Sequence, residues 1–342
     1  MRAFDLPKFR KGHTLPPQFR AVTLADGTLT YVNSLNSDIP LTYDGDPRGY
    51  FGPDMTVRHH TNGSGFRGPS FAQTKREGVR RVVIVGDSFT FGQGVKDNDV
   101  FAVRLERRLN EGKGDPSWEV VNLGVGGYNT RQEIALLRNV GLPLAPDAVI
   151  LGYNVNDAEP PIFEFDVAKR KMTRRKDAPV SNRDEPRPPD AFPYNLRVAQ
   201  VLWRIASIRR TQARTLEYYA SLYREDAEGW KDTQTSLAEF GELCRDGRFT
   251  CLAVIFPLLT DLDERYPFGH IHARVGGILS GAGIPVIDLL PLMSGRAPSD
   301  LWVHPTDQHP NEAVHALVAE ELFQRLASER DREIRPSPPP LP

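Results

Sequence analysis

Apolar positions along this chain come in short runs, and the runs differ in kind. Val82-Val83-Ile84-Val85 is unbroken. A strand with one wet face would alternate apolar and polar residues. Four β-branched residues in a row predict a strand buried on both faces, as in a parallel sheet covered by helices. The run stops at Gly86-Asp87-Ser88. A serine just past the carboxyl end of a central strand stands where open α/β sheets place their sites. Asp87 and Ser88 also suit a plain turn and helix cap.

A βαβ rhythm follows from Arg81. Phe101, Leu105 and Leu109 predict an amphipathic helix near residues 99–111. A second strand is expected at Trp118–Leu123, ending in Gly124-Val125-Gly126-Gly127-Tyr128-Asn129-Thr130, with a helix to about Asn139. A third is expected at Ala148–Leu151, ending in Gly152-Tyr153-Asn154-Val155-Asn156-Asp157. Cys251–Phe256 and Val286–Leu289 give a fourth and a fifth, and a last helix spans about Pro310 to Ala327. Strands alternating with helices imply a parallel, three-layer sheet with right-handed crossovers.

The segments outside this rhythm read differently. Residues 1–20 carry Pro, Lys and Arg without a period and are expected to be a mobile arm. Residues 21–80 form a β-rich preface, with Ala21–Leu24, Thr28–Val32 and Met55–Arg58 as alternating runs. Gly63–Pro69 is read as a stretch running near the site. From 159 to 247 the alternation is interrupted by a long insertion. It holds six basic residues between Lys169 and Lys176, a Pro-rich stretch from Pro179 to Pro193, and helical faces at Val198, Val201, Leu202 and Ile205 and at Leu216, Tyr219 and Tyr223. The basic run reads as a solvated loop. Leaving from the third strand's carboxyl end, the insertion could act as a lid. The main domain then covers 81–330, and 331–342 is a Pro-rich, disordered tail.

Composition narrows the field. A net charge of −1 provides no global attraction for nucleic acid. No run approaches the length of a transmembrane helix. Cys244 and Cys251 are the only cysteines and read as core thiols of a reducing compartment; no cluster has zinc spacing. With no signal peptide visible, a cytoplasmic protein is expected, or a secreted or periplasmic one if a leader is removed. His59-His60 and His270-x-His272 read as surface histidines, His304 as lining the pocket and His315 as a residue of the last helix. Tyr218, Tyr219, Tyr223 and Trp230 read as packing. No dinucleotide or Walker fingerprint is complete, so no cofactor is expected.

Four blocks fall at strand ends on one side of the expected sheet: Gly86-Asp87-Ser88, Gly124–Gly127, Asn154–Asp157 and Asp307-Gln308-His309-Pro310-Asn311. Singly, each suits a turn or a cap. Together they supply acyl-group hydrolysis. A serine hydroxyl needs a base within hydrogen-bond reach, and the attacked carbonyl becomes an oxyanion that needs preset donors. Ser88 would attack, His309 would act as base and then acid, and Asp307 would orient the imidazole.

These blocks, in this order, resemble the SGNH (GDSL-type) hydrolases over roughly residues 81–327, without the insertion. The resemblance implies a flavodoxin-like three-layer α/β/α sandwich around about five parallel strands. It implies a Ser-His-Asp site and an oxyanion hole made by the N–H of Ser88, a glycine N–H and an asparagine amide. Gly127 and Asn156 fit the family spacing, with Gly126 and Asn154 as alternatives. Many relatives place two residues between acid and histidine, whereas Asp307 and His309 have one between them. If Asp307 only caps the last helix, a Ser-His dyad remains. The implied activity is ester hydrolysis, of a small acyl group such as acetyl on a small-molecule or glycan substrate. An acyltransferase and a non-catalytic binding protein are the alternatives.

Overall fold

The computed structural model describes residues 16–111, 117–166, 171–175 and 214–334. Its centre is a five-stranded sheet made of β5 (Val79–Gly86), β6 (Ser117–Asn122), β7 (Ala148–Asn154), β10 (Thr250–Phe256) and β11 (Val286–Asp288). The spatial order is β11-β10-β7-β5-β6 and every pairing is parallel. The chain therefore steps outward from β5 to β6 and returns to β7 on the other side. This is the flavodoxin-like order, with its topological switch between β5 and β7.

The unbroken apolar run in β5 is explained by its two faces. Val82 and Ile84 join one buried layer, Val83 and Val85 the other. Helices α2 (Phe101–Asn110) and α8 (Glu312–Ile334) cover the first layer. Helices α3 (Thr130–Leu136), α5 (Glu228–Asp246) and α6 (Gly269–Gly281) cover the second. The fold is thus a three-layer α/β/α sandwich.

The preface is β-rich, as expected. Its hairpins pair β1 (Phe19–Thr23) with β2 (Leu29–Asn33), and β3 (Asp38–Thr42) with β4 (Thr56–His60). Phe19 and Arg20 lie in β1, so the expected arm is strand by residue 19; residues 1–15 lie outside the described residues. Tyr31 and Val32 belong to one core layer and Phe51 and Val57 to the other, so the preface is packed against both.

Other expectations need correction. The interruption 159–247 contains α5, which is the crossover helix that packs on α3 and α6 and leads into β10. It belongs to the core, and only the long connection hid its period. The basic run is in part a strand: β8 (Phe163–Asp166) pairs with β9 (Lys171–Arg174), where Met172 is buried. Residues 214–222 are helical and bury Tyr219 and Leu222, followed by the buried Tyr223. The Pro-rich stretch 179–193 and the face of Val198, Val201, Leu202 and Ile205 lie outside the described residues, as does 335–342. Helix α8 continues to Ile334, past the expected start of the tail at 331.

Cys244 and Cys251 are not free thiols but a disulfide. Helix α5 ends at Asp246 and the chain turns at once into β10. That brings the two Cα atoms to 5.9 Å, within the bridging range. Disulfides persist in oxidising compartments, so the reducing-compartment reading loses its support.

Among the described residues, no helix is long and apolar enough to cross a membrane. No group of three or more His, Cys, Asp or Glu side chains there is placed to hold a metal ion.

Candidate functional site

The site lies at the carboxyl ends of β5, β6 and β7, on the topological switch. At Gly86, where strand β5 ends, no side chain fits: a Cβ would fall 2.9 Å from the Gly152 carbonyl oxygen of β7. The chain then enters α1 (Ser88–Phe91), a single turn capped by Asp87. The Phe89 N–H donates to Asp87 Oδ1 at 2.8 Å. Ser88 is thereby held at the start of a helix with its hydroxyl turned toward His309.

His309 and Asp307 sit on β13 (Asp307–Pro310), which pairs antiparallel with β12 (Trp302–His304). Residues two apart on a strand share a face. That is why one intervening residue suffices here: Asp307 and His309 are both buried while Gln308 turns away. His309 Nδ1 lies 2.5 Å from Asp307 Oδ1 and Nε2 lies 2.9 Å from Ser88 Oγ. Tyr43, from the loop after β3, donates to Asp307 Oδ2 at 2.8 Å.

Burial pushes the Asp307 carboxyl up, but His309 and the hydrogen bonds from His309 and Tyr43 outweigh it and hold it below the ordinary value. An ionised Asp307 fixes the proton of a neutral His309 on Nδ1, leaving the Nε2 lone pair to accept from Ser88. Ser88 Oγ also lies 3.3 Å from Asp87 Oδ2, a longer and weaker alternative.

On the β7 side, Asn154 is the last residue of the strand and is fully buried; its backbone N–H donates to Asp157 Oδ2 at 2.7 Å. Asn156, two residues on, donates from Nδ2 to Asp87 Oδ2 at 3.0 Å. This uses one of its two amide N–H groups. Of the two asparagines, the structure brings Asn156 beside the serine block.

On the β6 side, the Tyr128 N–H donates to the Val125 carbonyl at 3.2 Å around a turn whose third residue, Gly127, has φ +77°. That is a type II turn, which requires glycine at this position. The central peptide carries the Gly126 carbonyl and the Gly127 N–H, which point opposite ways. Tyr31 Oη donates to the Gly126 carbonyl at 3.1 Å. A Cβ on Gly127 would meet Ile162 and Tyr31, whereas one on Gly126 would stand 4.0 Å from Ser88 Cβ. The carbonyl is thus tied to the preface, and the Gly127 N–H faces the opposite side.

A buried acidic pair lies behind the site. Glu133 and Asp157 are fully or almost fully buried, and neither Glu133 oxygen has a hydrogen-bond partner among the described residues. Burial pushes both carboxyls well up, reinforced at Glu133 by the Asp87 charge and at Asp157 by Glu133 and then Asp87. Burial alone raises Asp87.

Two of the histidines read as surface residues, His59 and His272, are buried. His59 is buried and accepts the Gly94 N–H at 3.0 Å through Nε2. Burial, then the Arg67 charge, pushes its pKa well down. His272 is buried on α6, 2.9 Å from Asp288 Oδ1 and 3.2 Å from Tyr266 Oη. Residues two apart on a helix diverge, so it makes no pair with His270. His304 is buried, 2.7 Å from the Thr306 hydroxyl. His315 is on α8 as expected and accepts from the Phe101 N–H. Gly63–Pro69 does reach the serine loop: the buried Arg67 donates to the carbonyls of Phe91, Gly92 and Val95 and to Asp97.

A flavodoxin-like sheet carrying a hydrogen-bonded Ser-His-Asp chain at its switch point is the architecture of the SGNH-type hydrolases. The family model described as GDSL-like lipase/acylhydrolase matches residues 84–317, well over half of the chain, and the chain belongs to that family. Among solved structures, it is similar to a two-domain esterase active on acetylated mannans, at 16% identity and a TM-score of 0.45. The alignment covers 77% of this chain and 53% of that one, so this chain spans about half its length. It is also similar to a lipase/acylhydrolase from Enterococcus faecalis, at 15% identity and TM-score 0.43, covering 73% and 96% of the two chains. An acetyl xylan esterase gives 14% identity and TM-score 0.42, covering 72% and 99%. No sequence among the curated proteins compared matches the chain.

Proposed function

We propose that the protein hydrolyses carboxylic esters through an acyl-enzyme on Ser88. The observation that carries this reading is the position of His309, 2.9 Å from Ser88 Oγ and 2.5 Å from Asp307. Ser88 Oγ attacks the ester carbonyl carbon as His309 Nε2 takes its proton. Asp307 stabilises the imidazolium and holds its tautomer. The new oxyanion accepts from the Ser88 N–H, the Gly127 N–H and the second N–H of Asn156. The tetrahedral intermediate collapses, the ester C–O bond breaks, and His309 Nε2–H protonates the departing alcohol. Water repeats the sequence on the acyl-enzyme, releasing the acid and Ser88. No residue of this machinery selects an acetyl group.

The test is hydrolysis of p-nitrophenyl esters beside Ser88→Ala and His309→Ala. Both variants should lose on the order of 10⁴ or more in kcat while melting like the wild type. A Ser88→Ala variant within tenfold of the wild type would remove the nucleophile from the scheme. A rate that rises with an added acceptor alcohol would turn the scheme toward acyl transfer.

A further inference from the structure

One cavity adjoins the serine without including it. It measures about 340 Å³, and its lining includes Phe19, Ile39, Pro40, Leu41, Phe91 and Gly126. Gly126 links it to the chemistry: a Cβ placed there would lie 3.8 Å from Phe19 Cζ and 4.0 Å from Ser88 Cβ. The Phe19 ring and the serine therefore face the same spot. The wall carries little charge. Of the lining residues that can carry charge, Asp38 is 2.6 Å from Arg58, and the buried His59 is held neutral by burial and the Arg67 charge. Phe19, Ile39, Pro40 and Leu41 all precede the matched family region 84–317, so most of this wall is supplied by the preface.

We infer that the preface builds the acyl pocket and that the substrate is an ester of an apolar acyl group larger than acetyl. This rests on Ser88 being the nucleophile. The alcohol departs from beside His309 Nε2, and neither His309 nor its neighbours on β13 line the cavity, so the apolar wall serves the acyl side. A cavity of about 150 Å³ holds a benzene ring. The volume here accepts a medium-length alkyl or an aryl acyl group and leaves an acetyl group largely unsupported.

Each methylene transferred from water into such a wall contributes about 0.8 kcal/mol, roughly fourfold in kcat/KM. The experiment measures kcat/KM for p-nitrophenyl acetate, butyrate, hexanoate and octanoate on the full chain. It includes Ile39→Trp, which fills the cavity, and Ile39→Ala, which enlarges it, with melting curves to report folding. The wild type should gain about fourfold per methylene until the cavity is full. Ile39→Trp should lower the hexanoate-to-acetate ratio at least tenfold, and Ile39→Ala should move the optimum to a longer chain. A flat wild-type profile, or ratios unmoved in a folded Ile39 variant, would overturn the inference. So would a series of acetates in which the rate instead follows the size of the alcohol. Labelling by a fluorophosphonate probe separates the two levels. Absence of a label on Ser88 fails the underlying reading, whereas a labelled enzyme with a flat profile fails only the pocket.

Discussion

Asp307 and His309 share one face of β13, and the carboxylate is fixed at both oxygens, by His309 and by Tyr43. A merely capping aspartate would not need the second tie. Asp307→Ala should lower kcat about as severely as the other members of such triads, on the order of 10⁴; a loss under tenfold in steady-state assays would assign the role elsewhere. Tyr31 acts at one remove. Its hydroxyl anchors the Gly126 carbonyl and so aims the Gly127 N–H. One hydrogen bond contributes a net ~0.5–1.5 kcal/mol. Tyr31→Phe should therefore lower kcat about three- to tenfold and leave KM unchanged. An unchanged kcat, or a rise confined to KM, would mean that the turn holds its own orientation. These two tyrosines had no signal in the sequence. Tyr43 meets a partner 264 residues away and Tyr31 one 95 away, and no local pattern marks such pairs. Ser88 and His309 were legible because their neighbours form short blocks at strand ends.

At the scale of elements, legibility follows burial. Strand β5 was readable because both faces are covered and no polar residue interrupts Val82–Val85. The apolar run of the third strand stops at Leu151, but β7 continues to Asn154, since Tyr153 and Asn154 are buried despite their polar groups. Helix α5 reads as part of the insertion because a long connection separates it from β7. The disulfide has no signal in the sequence because its geometry depends on how tightly α5 turns into β10. That bridge closes a short loop, with a sequence separation of 7, and in the chain-entropy picture should contribute about 2–3 kcal/mol. The non-reduced chain should have an intact mass two hydrogens below the reduced one, and reduction should lower Tm. Two free thiols in the native protein would contradict this.

For the whole molecule, the sheet order places the ends of β5, β6 and β7 together, and the preface closes them from outside. Behind them, Glu133 and Asp157 are buried without full compensation. A carboxyl whose folded pKa is raised is stable protonated. Its stability penalty begins above the unfolded value, near 4.3 for Glu, and grows toward the raised folded pKa, by up to about 1.4 kcal/mol per pH unit for one proton. Glu133→Gln lacks that slope. The Tm of the variant relative to the wild type should therefore rise between pH 4 and pH 8, and a difference independent of pH would remove the buried carboxylate from the account. The scaffold was legible from the βαβ rhythm. The pocket was not, because Phe19, Ile39 and Leu41 meet Phe91 and Gly126 only when the preface docks. The most direct measurement is intact-mass and peptide analysis after treatment with a fluorophosphonate probe. One adduct should appear on the peptide bearing Ser88, slowed by Asp307→Ala and abolished in Ser88→Ala. A native, folded enzyme that takes no adduct, or takes it on another residue, would contradict the central claim.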